Sequence, residues 1–284
     1  MTDMLNLLED LLAQAKAKGA DAADAVHIES QSLSVAQRLG NPEKLERSES
    51  SDIGLRAFVG KRQAIVSSSD SSPEALAELV DRVVSMAKAV PEDPYCGLAE
   101  PEQLATNIVD VDSFDPNEPS AETLVDWANR AEEAARAIEG ITNSEGAEAG
   151  WGQATVSVAA TNGFAQIYSG SHYSLSASVL AGEGTGMERD YDYTGAVYAE
   201  DMMSPEEVGR NAGEKTVKRL NPQKAETAQV PVIYDPRVSR GLVGHLSNAI
   251  NGSAIARDTS FLKDKMGEQI FGANITIYDD PHRP

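Results

Sequence analysis

Residues 241–250 read Gly-Leu-Val-Gly-His-Leu-Ser-Asn-Ala-Ile and carry His245, one of four histidines in a chain of 284 residues. A lone histidine at helical spacing raises metal chemistry first. Zinc requires three or four nitrogen, oxygen or sulfur ligands held together. His27, His172, His245 and His282 are scattered, and Cys96 is the single cysteine. A zinc site drawn from this chain alone would need convergence from distant segments, so the expectation is no metal ligand. No Gly-x-Ser-x-Gly elbow, phosphate-loop motif or His-Glu-x-x-His pair occurs, and the expectation is no catalytic residue. The acid pairs Glu132-Glu133 and Glu206-Glu207 read as solvated helix faces. The glycine-rich Gly182–Gly186 leads into no helix and reads as a turn rather than a phosphate cradle.

The remaining reactive residues have ordinary readings. Cys96, in a proline-rich stretch, reads as an incidental thiol. One cysteine excludes an internal disulfide framework and fits a bacterial or archaeal cytoplasm. His27 falls on the polar side of an alternating run and reads as a surface residue. His172 lies among Ser and Tyr in another such run and reads as a solvated strand position, with a substrate-facing position as the minority reading.

Twenty-four basic against 45 acidic residues give a net charge of −21. That charge opposes the counterion-release term that drives nucleic-acid binding, so no direct nucleic-acid contact is expected. No apolar run approaches the ~20 residues of a membrane span, so no membrane contact is expected. The acidic, leucine-spaced N-terminus reads as a helix rather than a signal peptide.

The elements that would position these residues follow from periodicity. Residues 3–18 read as a helix stopped by Gly19. Residues 25–39 read as a strand, and residues 48–70 as a hairpin turning at Gly60-Lys61. Ser72-Pro73 opens a helix with the apolar stripe Leu76, Leu79, Val80, Val83, Val84 and Ala87. A proline-rich connector spans 91–119, and a helix covers about 120–139 with Ser120 as its cap. Residues 142–200 alternate at period two around an Asn162-Gly163 turn signal, which predicts a curved antiparallel, half-barrel-like sheet. Ser204-Pro205 opens a further helix. Residues 228–236 read as a short buried strand, followed by the helix that carries His245. Residues 274–278 read as a final strand. The fold class is α+β: an N-terminal helix and hairpin domain over 1–140, then a β-rich domain with packed helices over 141–284, incomplete at its C-terminus.

Residues 220–271, ending "NGSAIARDTSFLKDKMGEQIF", resemble the PmbA/TldD family, the modulators of DNA gyrase. "SESSDIGLRAFVGKRQAIVSSSD", "TNGFAQIYSGSHYSLSASVLA" and "MERDYDYTGA" support the resemblance, which covers nearly the whole chain. It implies that in one branch a helix carries a zinc-binding His-Glu-x-x-x-His motif, and that the PmbA/TldE branch lacks it. Aligned on "NGSAIARDTSF", Val243, Gly244 and Asn248 stand where that motif would have His, Glu and His. Starting the motif on His245 puts Leu246 and Ile250 in its other places. The resemblance therefore implies a PmbA/TldE-type subunit of a zinc-dependent cytosolic protease, with the zinc on a TldD-like partner and unfolded peptides as substrate. It also implies that about a third of the family's length is missing after Pro284. On the helix itself, Leu242, Val243, Leu246, Ala249 and Ile250 form a stripe. His245 flanks that stripe as a boundary residue of a core helix, while His245, Asn248 and Asn251 are the candidates to face a cleft or a partner. The competing readings are a self-sufficient metallopeptidase and a protein-binding modulator of gyrase. A homo-oligomer of the isolated chain is a further expectation.

Overall fold

Leu8, Leu11, Leu12 and Ala15 share one face of the first helix and are buried, and Gly19 at φ +100° ends its last turn. The computed structural model describes residues 2–283, and the fold is α+β. The elements run α1 (Thr2–Ala17), β1 (Ala22–Arg38), β2 (Asn41–Val59), β3 (Arg62–Ser68), α2 (Pro73–Ala89), α3 (Ala121–Arg136), β4 (Ile141–Ala160), β5 (Ala165–Ala181), β6 (Glu188–Ala196), α4 (Pro205–Lys218), α5 (Pro236–Ile250) and α6 (Gly252–Ala256). Compactness divides the chain into a unit ending at Pro222 and a second over Gln223–Arg283.

In the first unit, six antiparallel strands form one sheet in the order β3-β2-β1-β4-β5-β6. The sheet is open, with β3 and β6 at its ends. Helices pack on one face only. Toward the β3 end, α1 and α2 cover Ala23, Ala25, Ile53, Leu55, Ala57 and Ala159. Toward the β6 end, α3 and α4 cover Leu33, Val35, Trp151, Leu175 and Val179. Burying each such leucine or valine contributes about 1.5–3 kcal/mol. The full stripe expected on α2 is buried. Ser72, Ser120 and Ser204 each accept a backbone N–H three residues on, at 3.4, 3.2 and 3.3 Å; a serine cap contributes about 1 kcal/mol.

Residue 140, the expected domain boundary, lies between α3 and β4. Strand β1 pairs with β4 along residues 24–37, so one sheet runs across that position.

Two readings of single residues are corrected. His27 is 3% exposed rather than on the surface. The helix-bearing face of β1 carries Ala23, Ala25, His27, Leu33 and Val35, whereas Val26 and Ile28 point to the opposite face. Small alanines let α1 and α2 approach, and the larger branched residues misled the phase. The His27 ring bonds through Nε2 to Ser51 Oγ, at 2.9 Å. Glu132 is likewise 1% exposed rather than solvated. Its carboxylate accepts from Leu39 N at 2.8 Å and Gly40 N at 3.2 Å, at the β1–β2 turn.

The second unit differs from expectation in its strands. Residues 228–235 and 273–280 are without strand structure, and Val232 and Ile233 are 69% and 96% exposed. An extended segment becomes a strand only with a ladder partner, and this unit offers none among its described residues. Helix α5 forms where expected, with Asp235 as its cap and Pro236 at its first position. Its apolar stripe is largely exposed rather than core, and only Ala249 is buried. Ser260 Oγ donates to the Ala249 carbonyl at 2.5 Å and anchors the end of the helix.

Candidate functional site

The face of the sheet opposite the helices is built from very small side chains. Alternation places Ser30, Ser32 and Ser34 of β1 on it. The β4 residues paired with these three are Ala154, Gly152 and Gly150, which in turn face Gly170, His172 and Ser174 of β5. Side chains this short leave a trough of about 690 Å³ over three adjacent strands. Tyr168 and His172 border it, and both are exposed. The His172 ring lies against Gly195 of β6: a Cβ there would fall 2.8 Å from its Cε1. Glycine at 195 therefore gives His172 its place.

The trough continues toward the other end of these strands. A second hollow of about 330 Å³ is lined there by Ala36, Glu148, Ser176, Ser178, Arg189 and Tyr191. Arg189 donates to Glu145 at 3.0 Å, and Tyr191 stacks on Tyr193 with ring centroids 6.2 Å apart.

The chemistry of this face suits recognition rather than bond-breaking. Serine hydroxyls both donate and accept, half-buried glycine puts no side chain over the backbone, and tyrosines supply flat apolar contact. A slim, extended ligand rich in amide groups fits such a trough.

A different hollow, of about 410 Å³, lies on the helix-bearing face between the two hydrophobic clusters, lined by Glu29, Gln31, Glu49, Ser51, Phe114, Gln153 and Thr155. Gln153 donates to Gln31 at 3.2 Å. The connector crosses near it. Ser113 O accepts from Ser171 N at 3.0 Å, and Asp115 N donates to Ser171 Oγ at 2.8 Å. Tyr173 Oη donates to Asp115 at 3.1 Å and to Asn117 O at 2.5 Å. Burial, and then the Asp115 carboxylate, push the Tyr173 hydroxyl up to about 12. The Asn117 N–H holds the Asp115 carboxyl below the usual carboxylate range. Tyr198, bonded to Asp112 and to Phe114 O, is also pushed up to about 12, chiefly by the Asp112 bond. These bonds fasten the connector across the sheet.

The residues singled out by sequence belong to the second unit. His245 and Asn248 lie in the C-terminal half of α5 and Asn251 just after it, and all three are exposed. Asn251 caps α6, its Oδ1 accepting from Ser253 N at 2.9 Å. Val243, Gly244 and Asn248 supply no zinc donor set on this helix. Among the described residues no three His, Cys, Asp or Glu side chains gather in a metal-holding group. The described residues of this helix do not fit the zinc that the resemblance implies for the other branch of the family. Cys96 is buried at 7% exposure. Among the described residues no helix is long and apolar enough to cross a membrane. Sequence reasoning missed the trough. Its signal was available: serine or glycine at every second position in "SQSLS", "GWG" and "SLSAS" marks one face of three strands.

Comparison with known proteins bears on all of this. The signatures of PmbA/TldA metallopeptidase domain 1, central domain and C-terminal domain match residues 23–87, 114–220 and 227–284. The metalloprotease PmbA of Escherichia coli O157:H7 is 36% identical over 95% of this chain and 60% of its own length. The PmbA homologue of Haemophilus influenzae is 34% identical over 88% of this chain and 56% of its own. The chain thus spans a little over half the length of these relatives. Among solved structures, a candidate modulator of DNA gyrase from Bacteroides thetaiotaomicron superposes with a TM-score of 0.84 at 23% identity, covering 93% of this chain and 60% of that one. TldE from Thermococcus kodakarensis gives 0.76 at 18% identity, covering 91% and 58%. These structures share the fold. Signatures of three successive domains of one family, together with the identity to PmbA, establish that the chain belongs to the PmbA/TldD metallopeptidase family.

Proposed function

We propose that this chain is a PmbA/TldE-type subunit of a TldD–TldE-like, zinc-dependent protease of the cytoplasm, and that it binds substrate without holding the metal. The zinc and the general base then belong to a TldD-like partner. What supports this reading is the resemblance, which sets Val243, Gly244 and Asn248 at the places of the His, Glu and His of the zinc motif. A helix bearing those three side chains can neither coordinate zinc nor activate its water. The trough on the helix-free face supplies a role that needs no metal. An unfolded peptide presents amides along its length, and a channel of serine hydroxyls and glycine backbone pairs with amides without selecting a sequence.

The test is reconstitution. The chain is mixed with the zinc-bearing subunit from the same source, and cleavage of an unstructured peptide is followed. Cleavage that requires both proteins is the expected result. Full cleavage by the partner alone removes the auxiliary role. Stoichiometric zinc on the purified chain, with cleavage by that chain alone, favours a self-sufficient metallopeptidase instead.

A further inference from the structure

Among the described residues lining the 690 Å³ trough, His172 is the one basic side chain, and none is acidic. Its ring is seated against Gly195, where a Cβ would fall 2.8 Å from Cε1 and 3.0 Å from Nε2. On this face it is surrounded by Gly152 of β4, Tyr168 and Ser174 of β5, and Gly195 and Tyr193 of β6. Ser113 of the connector lines the same hollow, and the acid beside it, Asp112, is taken by Tyr198 Oη at 2.5 Å. His172 is exposed and, among the described residues, makes no ion pair or hydrogen bond.

The adjoining 330 Å³ hollow has the opposite sign. Glu43, Glu145 and Glu148 line it against a single cation, Arg189. Arg189 pairs with Glu145 at 3.0 Å, and Glu43 lies 3.6 Å from Arg38. Lys44, two strands from Glu148, is held by Glu46 at 2.9 Å. Glu148 is left exposed and without an ion pair among the described residues.

These two groups lie along one line of the sheet. His172 stands opposite Gly152, four positions along β4 from Glu148. That separation is about 14 Å at ~3.4 Å per residue. Between them on this face lie Gly150 and Ser174, which put no bulk in the way. We infer that the trough recognises an extended peptide by two opposite charges about four residues apart, a carboxylate held at His172 and an ammonium or guanidinium held at Glu148. An imidazole N–H donates to a carboxylate and, when protonated, also matches its charge; a glutamate accepts from a cationic group. The two charges belong either to the free ends of a short peptide or to side chains within a longer one. This recognition rests on the trough being the substrate surface proposed above. It adds a ruler for charge to a floor that is otherwise indifferent to sequence.

The experiment measures binding of labelled, unstructured peptides to the whole chain by fluorescence anisotropy. Three peptides with blocked ends differ at two positions four residues apart: lysine with glutamate, lysine with lysine, and glutamine at both. A short neutral peptide is used with free and with blocked ends. The lysine–glutamate peptide is expected to bind about two- to fivefold tighter than the other two blocked peptides, the range of an exposed ion pair. A net charge of −21 acting alone favours the doubly basic peptide, so this order is not the work of bulk charge. His172→Glu is expected to turn the preference to the lysine–lysine peptide, His172→Lys to keep it, and Glu148→Gln to remove it, all at an unchanged melting temperature. A gain for the short peptide with free ends supports the same recognition through chain termini. Equal affinity for all the peptides, abolished by Ser32→Trp, overturns the inference and leaves the trough as the binding surface. A lysine–glutamate preference that survives His172→Glu also overturns it. Binding that Ser32→Trp leaves intact, or no binding of any peptide, overturns both the inference and the reading of the trough beneath it.

Discussion

The Glu132 carboxylate, on α3, receives the backbone N–H groups of both Leu39 and Gly40. These two residues form the turn between β1 and β2, at φ +52° and +74°. A left-handed leucine is strained, and the buried carboxylate holds it there. Glu132→Ala removes a charged acceptor from two N–H groups. Stability to urea is expected to fall by about 1–3 kcal/mol, with Glu132→Gln intermediate. No change would show that the turn stands without α3.

Gly209 and Gly213 sit one turn apart on α4 where it crosses α3. A Cβ on Gly209 would lie 2.0 Å from the Ala131 carbonyl oxygen, and one on Gly213 would lie 2.6 Å from Ile138 Cγ1. Gly209→Ala is expected to destabilise the fold by roughly 3 kcal/mol by prying the helices apart. Gly244→Ala on α5 meets nothing within 4 Å. It is expected to stabilise that helix by about 0.5–1 kcal/mol. Thermal unfolding of the two variants reads both effects.

The Tyr173 hydroxyl is pushed up to about 12 in the folded chain, against about 10 in an unfolded one. The folded state therefore keeps a proton that the unfolded state loses. The stabilisation is fully present below pH ~10 and is lost as pH rises through about 12. Tyr198 also titrates late, at about 12. In an absorbance titration, Tyr173→Phe and Tyr198→Phe are each expected to delete one late-ionising tyrosine. Tyr173→Phe is also expected to flatten the fall of stability above pH 10.

Ser32 is exposed at the floor of the trough. Ser32→Trp fills the channel without touching either hydrophobic cluster. Peptide cleavage in the reconstituted complex is expected to drop with an unchanged melting temperature. Unimpaired cleavage would place the substrate elsewhere.

His245→Ala is expected to change neither metal content nor stability, because the side chain is exposed and lacks a donor set around it. Asn251→Ala is expected to fray α6, since a lost side-chain cap costs about 1 kcal/mol. Metal analysis and helix content distinguish the two.

Helices were the most legible part of the sequence. The α2 stripe and the Ser-Pro starts of α2 and α4 carry their signals within one turn, and the structure holds each. Strand order was not written locally, since nothing near β1 names β4 as its neighbour. The phase of β1 was misjudged because Val26 and Ile28 outweigh Ala23 and Ala25 in apolar character, although the alanines are what a close helix requires. Glu132 was taken for a surface acid because its partners are backbone groups 92 and 93 residues away. The stretches 228–236 and 274–278 have the composition of strands, but composition cannot supply a partner. The trough escaped notice because it is made of what is missing from serine and glycine, and absent volume leaves only a period-two rhythm in the sequence.

His27, Gln31, Gln153 and Thr155 separate the two apolar clusters on the helix-bearing face, and no buried apolar side chain belongs to both. The sheet is therefore a single spine carrying two insulated cores. Leu55 and Leu175 report to different cores through a polar divide, so damage to one should neither deepen nor relieve damage to the other. Each half of the molecule can accumulate substitutions on its own account while the shared strands keep the trough in register.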